Sequence, residues 1–175
     1  SFYQTFYQAA RFNQNIGNWD VSNVTNMYRF FRNASQFNNG GSDSIKNWDV
    51  SNVTTFRECF QQTDFNHPIE SWDVSGVTGT TPFSNMFYQT PFNHPLAAWS
   101  SSIRNSLAGM FYNCDSFDQD LGSWDISKVD SDKDSSDNKE IKVESDKDIP
   151  ESKVESNVNK DNSLKKKPVI LIQDE

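Results

Sequence analysis

The chain has no run of apolar residues long enough to cross a bilayer as a helix, which takes about 18 or more. It is also short of positive charge, with 16 Lys and Arg against 24 Asp and Glu and a formal charge of −8. Nucleic acids and anionic membranes are bound through clustered Lys and Arg, so neither is expected as a partner. It has only 2 His and 2 Cys, and nothing in their placement argues a Cys–His pairing with nucleophile geometry. The opening residues, "SFYQTFYQAARF", hold neither Met nor a secretory apolar stretch. The chain therefore reads as a fragment, with any targeting signal expected upstream.

What it does have is aromatic mass. Its 14 Phe, 5 Trp and 5 Tyr can build the core of one modest domain. These residues stop at Trp124, and the stretch from Asp130 to Glu175 carries 22 charged residues and no Gly or Cys. Ordering a residue costs roughly 1.5 kcal/mol, which so few large apolar groups cannot offset. The expected organisation is thus a folded part over 1–129 and a disordered, charged tail or linker over 130–175. The tail ends in "KKKPVILIQDE", where Val169 to Ile172 reads as a strand that adds to a partner's sheet, as a frayed terminus, or as the first strand of a truncated next domain.

Residues 18–25 and 47–54 are both "NWDVSNVT". The five Trp stand at 19, 48, 72, 99 and 124, separated by 29, 24, 27 and 25 residues. The excess lies in two inserted stretches, "NNGGSDS" after Phe37 and "TGTTP" before Phe87, both loop-like in composition. A unit of about 25 residues cannot bury its own apolar face and has to stack on neighbours. Each unit carries an apolar spine: Ile16, Trp19, Val21, Val24; Ile45, Trp48, Val50, Val53; Ile69, Trp72, Val74, Val77; and Leu121, Trp124, Ile126, Val129.

This apolar-x-x-apolar-x-apolar order is the strand signature of leucine-rich repeats, and the following segment, "NMYRFFRNASQF", spaces its apolar residues for short helical turns. The fold class expected is an α/β repeat solenoid. It would stack short parallel strands about 4.8 Å apart, with helical turns on the other face, in about five units of which the first is incomplete. Trp19, Val21, Trp48, Val50, Trp72, Val74, Trp99, Trp124, Phe31, Phe60, Phe87 and Phe111 are its repeated core. The unit at Trp99 has Ser100 and Ser101 where Asp and Val stand elsewhere, so a weaker or shifted strand is expected there, with Ile103 turned inward.

At "WDVSNVTNM", followed by "MF" and "FNQ" before the next Trp, the sequence resembles BspA-like leucine-rich surface proteins, in the short repeat form of mycoplasma-type lipoproteins, some protists and large viruses. The resemblance covers residues 1–129. It implies a right-handed leucine-rich solenoid at a cell surface or outside the cell, used for adhesion or recognition, with no enzyme activity, no cofactor and no catalytic residues.

Several columns of the stack are candidate sites. The residue after the repeated Phe gives Tyr7, Arg32, Gln61, Tyr88 and Tyr112, whose rings and guanidinium suit stacking on protein or sugar groups. Asp20, Asp49 and Asp73 follow successive Trp and form either a cation ladder or Asx turns with Ser22, Ser51 and Ser75; the turns are the favoured reading. His67 and His94 share the motif "FNHP" and are a weak metal pair lacking further ligands. Cys59 and Cys114 fall in different columns and read as small core fillers. Sequons occur at Asn23, Asn33 and Asn52; Asn23 and Asn52 lie inside the duplicated motif, where packing explains Asn-Val-Thr better than glycosylation does. The expected function is a recognition or adhesion module for protein or glycan. The alternative is a structural spacer or assembly component, such as a virion or envelope protein, with no dedicated ligand.

Overall fold

Turns, rather than strands, carry the apolar spine. In a computed structural model describing residues 1–102 and 107–124, Trp48 N–H donates to Ile45 O at 3.2 Å and Val53 N–H to Val50 O at 2.8 Å. Trp19 and Val24, then Trp72 and Val77, repeat the pair. Apolar-x-x-apolar is therefore the spacing of residues that open and close a four-residue turn, so that both ends point into the core. The Asp between the two turns locks the exit: Asp20 Oδ1 accepts from Ser22 N–H at 3.0 Å and from Ser22 Oγ–H at 2.6 Å. Asp49 does the same with Ser51 at 3.1 and 2.7 Å, and Asp73 accepts from Ser75 N–H at 2.9 Å.

The second half of each unit joins it to its neighbour. Met27, Arg29, Phe31 and Asn33 donate their N–H groups to the carbonyls of Thr55, Arg57, Cys59 and Gln61 in the next unit. The residues that follow the last three of these, Phe30, Arg32 and Ala34, donate to carbonyls three residues back in their own unit, and Tyr28 N–H donates to Asn26 Oδ1 at 2.8 Å. Neighbouring units thus share a ladder in which every second amide serves the stack and every other one closes a turn. Such coiling needs left-handed backbone at fixed points. Gln4, Arg29, Glu58, Asn85 and Gly109 lie in one such column, with φ between 52° and 62°, and Gln8, Asn33, Gln62, Gln89 and Asn113 in the other. Side-chain-bearing residues rarely adopt this conformation unless their surroundings impose it, and here the bonds on both sides do.

The expected α/β solenoid of parallel strands and helical turns is overturned by this backbone. Among the described residues, strand-like pairing is confined to one isolated parallel bridge, Asn26 with Thr55, and helical backbone to the 3₁₀ helices Asn39–Gly41, Asp43–Asn47 and Ala97–Ser102. The physical reason is the recurring positive φ together with the bonds three residues back, which shorten and coil segments that a strand would extend. The unit at Trp99 holds no weakened strand either, since Trp99 lies within the helix Ala97–Ser102. Ile103, Ile126, Val129 and the proposed tail over 130–175 lie outside the described residues. No helix among the described residues is long and apolar enough to cross a membrane.

The core is a double file of phenylalanines. Phe6, Phe31, Phe60, Phe87 and Phe111 stack at 5.6 to 6.0 Å between ring centroids. Phe12, Phe37, Phe65, Phe92 and Phe117 form a second file at 5.8 to 6.3 Å. Within one unit the two files meet face to face, as at Phe31 and Phe37, 3.7 Å apart. Val21, Trp48, Val50, Trp72, Val74, Trp99 and Trp124 are buried with them. Trp19 departs from the expected core by being 42% exposed. The unit before it supplies only Phe2 and Phe6 as cover, and no tryptophan.

An asparagine ladder runs beside the second file. Asn13 Oδ1 accepts from Asn38 N–H at 2.8 Å, Asn38 Oδ1 from Asn66 N–H, and Asn66 Oδ1 from Asn93 N–H, both at 2.9 Å. The inserted stretch after Phe37 is bound into the stack by fully buried Asn39, whose Oδ1 accepts from Ile16 N–H at 2.9 Å. Its close fit explains Gly17, where a Cβ would fall 2.0 Å from Ser44 Oγ.

Candidate recognition face

Three arginines from two neighbouring units converge on one carboxylate. Glu58 sits in the left-handed column and is buried, with its side chain 5% exposed. Arg29 Nε donates to Glu58 Oε2 at 2.7 Å, Arg57 Nε donates to Oε1 at 3.3 Å, and Arg32 Nη1 donates to Oε2. The unit-to-unit ladder makes this possible by setting Arg29 beside Glu58 in register, with Arg32 one turn further along. Charge-assisted bonds of this kind are the strong ones. The bond to Glu58 holds the Arg29 guanidinium even more firmly protonated than usual.

The guanidiniums are not buried with their partner. The Arg29, Arg32 and Arg57 side chains are 27%, 23% and 45% exposed. Tyrosines interleave with them: the Arg29 guanidinium lies 4.6 Å from the Tyr28 ring centroid, and that of Arg32 5.9 Å from Tyr7. Tyr3, 54% exposed, packs its ring 5.3 Å from Tyr28. Arg57 adds a bond from Nη1 to Thr81 Oγ1 at 3.0 Å. Among the described residues Glu58 is the only carboxylate paired with these three cations, so the cluster carries an excess of two positive charges.

The column expected from the sequence is divided by this arrangement. Tyr7 and Arg32 fall inside the cluster, while Tyr88 and Tyr112 form a separate stack with rings 5.2 Å apart and 9° from parallel. Gln61, between the two pairs, is buried, and its Oε1 has no partner. Sequence reasoning missed Arg29, Arg57, Tyr3, Tyr28 and above all Glu58. One signal was present: Glu58 is a lone acid in a column otherwise filled by Gln, Arg, Asn and Gly.

The other candidates are occupied by structural bonds. Asp20, Asp49 and Asp73 spend their carboxylates on the serines two residues on, and the bonds from those serines hold all three below the usual aspartate range. His67 places Nδ1 2.7 Å from Asp43 Oδ1 and Nε2 2.8 Å from Asn38 O, tying the inserted stretch to the next unit. His94 Nε2 faces Asn66 O at 3.2 Å. Among the described residues, no three His, Cys, Asp or Glu side chains are grouped to hold a metal. Cys59 and Cys114 are free and buried, and burial pushes both thiols up, that of Cys59 strongly. Of the sequon residues, Asn23 is exposed, Asn33 is half-buried, and Asn52 donates from Nδ2 to Ser22 O at 2.8 Å.

Residues 1–44 and 40–146 match the family described as "Mycoplasma protein of unknown function, DUF285". No curated protein and no solved structure matches the chain.

Proposed function

We propose, for a chain that belongs to the DUF285 family of Mycoplasma proteins of unknown function, the role of a non-catalytic recognition module displayed at a cell surface. The resemblance of its repeats to BspA-like surface proteins supports display and adhesion. The observation that carries the reading is the cluster of Arg29, Arg32 and Arg57 around Glu58, interleaved with Tyr3, Tyr7 and Tyr28. Tyr and Arg are the residues that dominate binding energy at protein surfaces, and here a rigid ladder holds them side by side.

The test compares binding of the full chain to cells and to a panel of extracellular proteins and glycans, with Tyr7→Ala and Arg57→Gln set against Tyr88→Ala and Tyr112→Ala. Tyr7→Ala or Arg57→Gln should weaken binding by roughly tenfold or more, while the variants in the separate tyrosine stack change it little. If the wild-type chain binds nothing, or if all four folded variants bind as it does, the stack is a spacer and the proposal fails.

A further inference from the structure

Hydrogen-bond donors exceed acceptors in the arginine cluster by a wide margin. Each guanidinium brings five N–H groups, and among the described residues the acceptors that meet them are the two oxygens of Glu58 and Thr81 Oγ1. Arg32 Nε is buried and has no acceptor at all. Two uncompensated positive charges stand on a chain whose formal charge is −8. Such a surface calls for a ligand rich in anionic oxygens.

Charge alone does not choose between an acidic peptide and an acidic sugar, but the neighbouring groups do. Tyr3, Tyr7 and Tyr28 are interleaved with the guanidiniums, Tyr3 exposed and the other two half-buried. The flanking column is built of neutral amides: Gln8 Nε2 donates to Tyr7 Oη at 3.3 Å, and Gln62 Nε2 to Gln89 Oε1 at 2.9 Å. Planar amides and phenols suit ring hydroxyls, aromatic faces suit the C–H face of a sugar ring, and guanidinium forks suit carboxylate or sulfate groups. An acidic peptide can use the forks and, through its backbone, the amides, but it brings neither the C–H ring face nor the dense hydroxyls of a sugar.

We infer that the ligand of this face is an acidic polysaccharide, its carboxylate or sulfate groups taken by Arg29, Arg32 and Arg57 and its rings laid on Tyr3, Tyr7 and Tyr28. This rests on the recognition role proposed above. Glu58 is the positioning residue that holds the three forks toward one place.

The experiment measures binding of the full chain to immobilised heparin, hyaluronate, dextran and poly-L-glutamate, with melting curves to confirm that each variant is folded. The sulfated or carboxylated polymer should bind at least about tenfold more tightly than dextran or polyglutamate and weaken as salt is added. Arg57→Gln should lose roughly tenfold in affinity. Arg57→Lys should recover only part of it, because it restores the charge without the fork. Equal binding to dextran, equal or tighter binding to polyglutamate, or an unchanged Arg57→Gln overturns the inference. Binding to a protein through Tyr7 and Arg57 with none to the two acidic sugars overturns it too, and leaves the recognition role standing. Binding to no cell, protein or polymer removes both.

Discussion

Replacing Trp72 and Trp99 separately by Phe removes nearly the same group from two equivalent places, yet the outcomes should differ in size. Both side chains are buried, at 3% and 1% exposure. Trp72 Nε1 donates to Ile45 O of the preceding unit at 3.0 Å, as Trp48 does to Ile16 O at 3.3 Å and Trp124 to Leu96 O at 3.0 Å. Trp99 breaks the series, for its Nε1 is buried without a partner. The loss of volume is common to both variants. Trp72→Phe loses in addition a hydrogen bond worth about 1 kcal/mol, whereas Trp99→Phe removes an orphaned donor whose burial costs about 1 to 3 kcal/mol. The difference between the two should therefore be roughly 2 to 4 kcal/mol, with Trp99→Phe the more stable. For a folded part of this size that is a gap in Tm on the order of 10 °C. Melting followed by circular dichroism, with urea unfolding at one temperature, measures it. Equal losses, or a larger loss in Trp99→Phe, would refute the assignment of these indole bonds.

Glu58→Gln should destabilise the fold by about 2 to 4 kcal/mol in urea unfolding. It strands three guanidiniums without a counter-charge, a cost reduced by their exposure, and added salt should restore part of the loss. At Gln8, with φ of 60°, glycine should raise stability by up to about 1 kcal/mol while valine lowers it by about 1 to 2 kcal/mol, a reversal of sign that ordinary strand backbone would not give. Asp20, Asp43, Asp49 and Asp73 all titrate below the ordinary value of 3.8 in the folded chain. Folded values below unfolded ones mean a contribution present above that range and lost as pH falls through the folded values. Tm should accordingly fall below about pH 4, and Ser22→Ala with Ser51→Ala should flatten that limb when Tm is scanned from neutral to acid pH.

The register of the repeat was legible in the sequence, and the conformation of its backbone was not. Aligning Phe2 with Met27 and Phe6 with Phe31 gives the same register as the bonds from Phe2 N–H to Asn26 O and from Phe6 N–H to Phe30 O. Large identical side chains at a fixed period have to lie over one another, whatever the backbone between them does. Apolar-x-x-apolar, however, suits both a strand entry and a closed turn, and only two residues alternate at its centre. The left-handed positions would be announced by glycine in an isolated chain. Here Gln4, Arg29 and Glu58 hold them, because hydrogen bonds to neighbouring units impose a conformation for which those residues have no preference. The arginine cluster was hidden for a related reason: Arg29 and Glu58 are 29 residues apart and meet only once units stack. The Asp and Ser of "WDVS" act within two residues of each other, so their turn could be read directly.

That Arg29, Arg32 and Arg57 together take an acidic sugar can be read residue by residue if the full chain is followed by nuclear magnetic resonance while a short heparin oligosaccharide is added. Shifts should concentrate in the Nε–H signals of those three arginines and in the rings of Tyr3, Tyr7 and Tyr28. Shifts centred on Tyr88 and Tyr112, or on the strip of Asp20, Asp49 and Asp73, or no shifts at all, would contradict it.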